Sequence, residues 1–218
     1  QQWIAAGDIY QANFTFTADV EVDGHPISLY ARLRAGSAAP FGAIVFTGAQ
    51  WLLSFSPELF FQLEGRRLTA RPMKGTARRG RFSGEDQARR AALAASAKDR
   101  AENLMITDLI RNDLSRVASD VRVPALFDVE AYPTVWQMTS TVTASARPGI
   151  TAADVLAAMF PCGSVTGAPK LRSMEVLAEI ETAPRGAYCG AIGAISGNGD
   201  ALFNVAIRTL ALPAGSTT

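Results

Sequence analysis

The chain predicts an α+β fold built on antiparallel sheets, and three observations carry that expectation. Short apolar runs divided by turn signals occupy residues 9–73, a helix-favouring stretch runs from Ser83 to about Val117, and β-favouring runs return over 121–146 and 188–212. Neighbouring runs joined by tight turns form hairpins, so the sheets are antiparallel. With 218 residues and 48% hydrophobic content, the chain is long enough to bury a sizeable core. No internal repeat, low-complexity tract or linker interrupts Ile9 to Leu212, so one domain spanning residues 1–218 is expected.

The elements follow in order. Ile9 to Val20 alternates around Gln11, Asn13 and Thr15 and reads as a strand; Ile44–Phe46 and Trp51–Phe55 flank Gly48-Ala-Gln50 as a hairpin. Leu59–Leu63 and Leu68–Met73 bracket Glu64-Gly65, a turn signal, which places Glu58 and Lys74 at the outer ends of two paired strands. Those two residues form a chemical pair. A lysine in a low-dielectric pocket loses its proton readily and becomes a nucleophile or base, and a buried glutamic acid beside it can protonate a leaving group.

Ser83 reads as a helix cap with Asp86 as its capping-box partner, and the helix carries Met105, Ile106, Leu109 and Asp113 on one face together with Glu102. Two readings of Glu102 stand side by side: a solvated pair with Lys98, worth a few tenths of a kcal/mol, or a metal or substrate ligand at the edge of the core. Val121–Ala146 returns to strand, with Val135, Met138, Thr139 and Val142 in β-favouring surroundings, and Thr151–Phe160 is a short helix. The loop Phe160-Pro-Cys-Gly-Ser-Val-Thr166-Gly167-Ala-Pro169-Lys170 then enters a helix running to about Glu181. It reads as a plain helix-entry turn or as a backbone cradle for an anion, and its glycine spacing departs from a P-loop. Tyr188–Ile195 and Ala201–Leu212 form a hairpin, with Asn204, Ala206 and Arg208 on one face; Arg208 is a bidentate carboxylate clamp or an arginine on a wet edge.

Composition excludes several function classes. With 21 Lys+Arg against 20 Asp+Glu the net charge is +1, too balanced for a nucleic-acid backbone or an anionic membrane surface. Cys162 and Cys189 have no zinc spacing and His25 is the single histidine, which argues against a histidine-based metal site; two free thiols suit a cytoplasmic setting. No run has the length of a membrane span. The chain opens without methionine inside an apolar pattern and closes just after a strand-like run, so truncation at both ends is expected.

Seven ordered blocks resemble the chorismate-utilising enzymes: Gly7 to Asn13, Ser56-Pro-Glu58-Leu, Pro72-Met-Lys74-Gly-Thr, Ala97 to Asp113, Phe160 to Lys170, Tyr188 to Gly193 and Ile207-Arg-Thr209. The resemblance covers nearly the whole chain and is strongest to the aminodeoxychorismate synthases. It implies a chorismate-binding fold, two antiparallel β-sheets in a sandwich flanked by helices, with chorismate and Mg²⁺ in the cleft. It implies Glu58 as the general acid on the C4 hydroxyl, Glu102 as a magnesium carboxylate, Arg208 on a substrate carboxylate, and Thr166, Gly167 and Gly190 lining the cavity. Lys74 matches the position that separates the branches, lysine in aminodeoxychorismate synthases and usually alanine in anthranilate and isochorismate synthases. The implied reaction adds the Lys74 amine at C2, after which ammonia from a glutamine amidotransferase, separate or fused, displaces it at C4. Gln137 stands where the family often has histidine, so its amide is the expected donor near the leaving hydroxyl. The family's later magnesium-ligand segment has no counterpart here. The alternatives are an anthranilate, isochorismate or salicylate synthase, and a noncatalytic truncated paralogue that still docks a glutaminase.

Overall fold

The computed structural model describes residues 1–215. A single helical turn, α1 (Gln2–Ala5), leads to a two-residue bridge, β1 (Gln11–Ala12). Helix α2 (Pro26–Ser37) begins where His25 accepts the Ile27 N–H at 3.2 Å and Pro26 takes the first position. Strands β2 (Phe41–Phe46), β3 (Gln50–Ser56), β4 (Leu59–Glu64), β5 (Arg67–Arg71) and β6 (Met73–Arg78) follow. Then come α3 (Ser83–Ala95), α4 (Ala97–Ser115), the long pair β7 (Ala118–Ala131) and β8 (Val135–Ala146), and α5 (Ala152–Met159). A 3-10 turn (Gly163–Val165), β9 (Gly167–Ala168), α6 (Lys170–Ile180), β10 (Ala191–Ile195), β11 (Ala201–Val205) and β12 (Thr209–Pro213) complete it.

All pairing is antiparallel, as the hairpin signals require. The large sheet runs β10-β11-β4-β5-β8, with β7 on the far side of β8 and β6 continuing β5 along the same side; the small sheet runs β12-β3-β2. Pro72 supplies the bend between β5 and β6, and its carbonyl still accepts the Ser140 N–H of β8 at 3.2 Å. The main core lies where α4 and α5 cover the large sheet, around Phe60, Phe61, Ile106, Leu114, Val142 and Met159. A second cluster, Leu29, Leu53, Phe55 and Leu212, joins α2 to the small sheet. Asn204, 1% exposed, bridges the two sheets: its amide donates to Phe41 O at 2.7 Å and accepts from Ile192 N at 3.2 Å.

Four expectations need correction. Ile9–Val20 contributes only the β1 bridge, because its alternating side chains meet no free sheet edge beyond Gly167-Ala168, and Tyr10, Phe14, Phe16 and Val20 stay exposed. The long helix is two helices: Ser96 is extended (φ −66°, ψ 110°), and its hydroxyl caps α4 by accepting the Asp99 N–H at 3.3 Å. Ser83 is not the cap of α3 and Asp86 makes no capping box; Phe82 holds the cap position and Asp86 turns inward. The run Ala201–Leu212 breaks after Val205, where the chain leaves the large sheet for the small one, and Arg208 there has φ +50°.

Candidate active site

The chain changes sheets twice, and the two crossings lie side by side. Ser56 to Leu59 passes from the small sheet to the large one, and Ala206 to Arg208 passes back. The Ser56 hydroxyl donates to Val205 O at 2.6 Å and accepts the Glu58 N–H at 3.2 Å; Val205 N donates to Glu58 O at 3.1 Å and Phe55 N to Arg208 O at 3.0 Å. Glu58 and Arg208 therefore come from one seam, although far apart in sequence.

Glu58 is 3% exposed, and its Oε1 has no hydrogen-bond partner. Burial pushes its carboxyl up to about 7, against the opposing pull of the Ser164 hydroxyl, the Lys74 charge and the Met73 N–H. A carboxyl in that state holds its proton near neutrality, which is what a general acid requires.

Lys74 lies in β6 within the field of Glu58, as the hairpin geometry predicts. Its backbone is locked in a bulge, since the β6–β8 register shifts between Met73 and Thr76. Gly75 permits this turn with φ +97°, where a Cβ would come within 3.0 Å of Asp99 Cβ and 3.2 Å of Met138 Cβ. Gln137 donates to Gly75 O at 2.9 Å and accepts from the Thr76 hydroxyl at 2.9 Å. It thus fastens the bulge beside Lys74, with its amide oxygen and one amide hydrogen already engaged.

Asn103 fastens the same bulge from the helix side and was not singled out in the sequence. Fully buried, it donates to Lys74 O at 3.2 Å and Met138 O at 3.3 Å and accepts from Ser140 Oγ at 2.5 Å. Its spacing to Thr107, Ile110 and Leu114 is the signal that could have found it, because those residues form the buried stripe of α4. Met105, Leu109 and Glu102 flank that stripe. Glu102 is partly exposed, and its cation neighbour is Lys98 at 3.7 Å.

Arg208 is exposed, at the mouth of the seam rather than on a strand face. Its charge acts on the Tyr132 phenol together with Glu130, Arg71 and Glu58, so the five groups share one neighbourhood. Burial is the main cause that raises the Tyr132 phenol. Arg71, opposite Leu59 in the register, pairs with Glu130, which also accepts from Thr139 at 3.1 Å. Thr166 and Gly167 line the loop before α6: the Thr166 hydroxyl donates to Cys162 O at 3.0 Å, and a Cβ on Gly167 would meet Gln11 O at 2.1 Å. Gly190 sits in the turn before β10, its carbonyl accepting the Ala206 N–H at 2.9 Å next to the second crossing. A separate cavity of about 800 Å³, lined by 15–23, 182–188 and 209–213, contains neither Glu58 nor Lys74.

A family model for chorismate binding enzymes matches residues 1–218. The chain belongs to that family. The chain is 43% identical over 217 residues to aminodeoxychorismate synthase component 1 of Salmonella typhimurium, covering 99% of itself and 48% of that protein. It is 45% identical over 218 residues to an aminodeoxychorismate synthase of Streptomyces griseus, 99% of itself and 30% of that protein. In structure it is similar to anthranilate synthase component I of Streptococcus pneumoniae, with TM-score 0.87, 34% identity, and 96% and 47% of the two chains covered. The chain spans about half the length, or less, of these proteins. No helix among its described residues is long and apolar enough to cross a membrane.

Proposed function

We propose that the protein is a cytoplasmic aminodeoxychorismate synthase component I, converting chorismate and ammonia to 4-amino-4-deoxychorismate. The single observation that carries the reading is a lysine held in a rigid bulge beside a buried glutamic acid that keeps its proton near neutrality. Relatives named aminodeoxychorismate synthase, at 43% and 45% identity, support it.

In this reading Arg208 binds a substrate carboxylate, and Thr166, Gly167 and Gly190 shape the cavity. The proton on Glu58 passes to the departing C4 hydroxyl, which leaves as water, while the Lys74 nitrogen forms a bond to C2 and the ring double bonds shift. Ammonia then bonds to C4, the double bonds return, the C2–N bond to Lys74 breaks with its electrons going back to the amine, and the new C4 ammonium returns a proton to the Glu58 carboxylate. Gln137 and Asn103 keep the lysine backbone in register for both steps.

Ammonia comes from a glutamine amidotransferase partner. Cys162 and Cys189 are buried with thiols raised by that burial, which suits neither to be a glutaminase nucleophile. Mg²⁺, which the family resemblance implies, is not accommodated by the described residues: no group of three His, Cys, Asp or Glu side chains converges, and Glu102 offers one carboxylate. The steps above accordingly rest on the chain's own side chains.

A second reading, anthranilate synthase chemistry, draws on the structural likeness to the Streptococcus pneumoniae protein. Mass spectrometry of the products from chorismate, ammonium and Mg²⁺ separates the two. A C4-amino product is expected, and Lys74→Ala should reduce it by more than about 10⁴-fold and abolish any covalent adduct. Anthranilate as product, or full activity in Lys74→Ala, would overturn the proposal.

A further inference from the structure

Arg185 takes no part in the reaction above, yet its largely buried guanidinium stands where three stretches of chain meet. Its Nε and Nη2 donate to the two carboxylate oxygens of Glu181, just beyond α6, at 2.9 and 2.6 Å. Nη2 also donates to Asn13 O at 2.8 Å, and Nη1 donates to Val165 O at 2.6 Å. Four N–H groups of one planar fork are thus committed to three residues. Asn13 closes the figure by donating its own N–H to Thr166 O at 2.8 Å, and Glu181 accepts the Thr15 N–H and hydroxyl, both at 3.0 Å.

We propose that Arg185 is a positioning residue that holds the loop before α6 against residues 10–15 and against the second sheet crossing, and so sets substrate binding without touching substrate. This deepens, and rests on, the cavity role proposed for Thr166 and Gly167. Val165 directly precedes them and is buried, so its carbonyl has no water to take over from a lost Arg185. Residues 10–15 are laid along the loop by the Tyr10 N–H on Ala168 O at 2.8 Å, and the Ser173 hydroxyl donates to Gln11 O at 3.0 Å. On its other side Arg185 begins a turn, with the Tyr188 N–H returning to Arg185 O at 3.1 Å. That turn ends on Ala206, whose carbonyl accepts the Cys189 N–H and whose N–H donates to Gly190 O, both at 2.9 Å. Ala206 opens the crossing that carries Arg208. One guanidinium therefore fixes the wall of the proposed cavity relative to the arginine proposed to bind the substrate carboxylate. A lysine, with its donors on a single nitrogen, cannot serve Glu181, Asn13 and Val165 from one plane.

The test compares Arg185→Lys with Arg89→Lys. Arg89 makes the same i,i+4 pairing, to Glu85 at 2.6 Å, and donates to Arg79 O at 3.2 Å, but it stands on α3 and bonds nothing in the loop. The first reading is amide hydrogen exchange of the protein without substrate. In Arg185→Lys the Tyr10, Asn13 and Thr166 amides should exchange faster together, by about tenfold, and in Arg89→Lys they should keep the wild-type rate. The second reading is steady-state kinetics with chorismate and ammonium. Arg185→Lys should raise KM for chorismate by about 10–10²-fold while kcat stays within about threefold, and Arg89→Lys should change neither. Unchanged exchange at Asn13 and Thr166 would overturn the proposal. So would a fall in kcat at unchanged KM, or equal effects in the two variants, which would mark a general loss of stability. If Arg185→Lys does not fold, Glu181→Gln, which removes the charge that seats the fork, decides by the same two readings. If wild type makes no C4-amino product, the proposed reaction falls, and the exchange reading alone decides whether Arg185 holds the loop.

Discussion

Two inward-facing carboxylates, Asp86 and Glu58, each have a cation close by, yet the protein drives them in opposite directions. Asp86 accepts from Arg79 Nε at 2.8 Å and Nη2 at 2.6 Å, from Gly80 N at 2.8 Å and from Trp136 Nε1 at 2.9 Å. Arg79 foremost, with those further donors, holds its carboxyl well below the usual carboxylate range. Glu58 has an unpartnered Oε1, and burial outweighs Ser164 and Lys74 to hold it up at about 7. A neighbouring cation does not by itself decide ionisation; the number of donors set against the loss of water does. Asp113 falls between them: burial raises it although Lys170 stands 2.5 Å away. Asp86 and Asp113 hold structure together, whereas the raised carboxyl of Glu58 suits the proton-donating role proposed for it.

The comparison would break most visibly at Glu58. Glu58→Gln should lower turnover by about 10²–10⁴-fold, and the wild-type rate should fall as pH rises through about 7, a limb absent from the variant's residual activity. Stability should move the other way. The folded state keeps the Glu58 proton between the ordinary value of 4.5 and about 7 while the unfolded chain has lost it, so stability falls with rising pH across that window. Glu58→Gln should therefore stabilise the protein by about 3 kcal/mol at pH 8 and hardly at pH 4, read by denaturant melts. Equal effects at both pH values would contradict the raised carboxyl.

Lys170→Met strands Asp113 in the core and should cost about 3–5 kcal/mol in the same melts. Asp86→Asn should lower the melting temperature at neutral pH without moving the Glu58 titration. Because the folded Asp86 carboxyl is depressed, its stabilising effect is lost only as pH falls below the usual carboxylate range, so wild type and variant should converge in acid. Smallest of all, Lys98→Ala removes an exposed partner 3.7 Å from Glu102 and should change stability by a few tenths of a kcal/mol.

Much of this was legible in the sequence, for identifiable reasons. The Glu64-Gly65 turn sets the register of β4 against β5, and by pairing Leu59 with Arg71 that register brings Glu58 into the stretch of chain that leads to Lys74. The Pro72 bend and the Gly75 bulge were not legible as geometry, because both depend on β8 supplying partners to two strands at once. Arg208 was assigned to a strand face because Ala201–Leu212 reads as one β-favouring run without a Gly or Pro to break it; only the presence of a second sheet makes the chain turn at 206–208. Asp86 looked like a capping residue by spacing, but Arg79 and Trp136 compete for it, and neither contact is local enough to leave a pattern. Asn103 was overshadowed by Glu102 one position earlier, since a charge draws more notice than an amide although the amide is what the core encloses.

The bend at Pro72 has a consequence for anyone who would redesign this protein. It puts Glu58 before β4 and Lys74 beyond the kink, so the proposed proton source and the proposed attacking amine belong to mechanically separate parts of one hairpin. The lysine's main chain is gripped by Asn103 and its glycine neighbour by Gln137, through backbone carbonyls that no side-chain exchange at 74 removes. Position 74 is thus an interchangeable socket: new side chains can be fitted there without retuning the acid's surroundings beyond the loss of one charge.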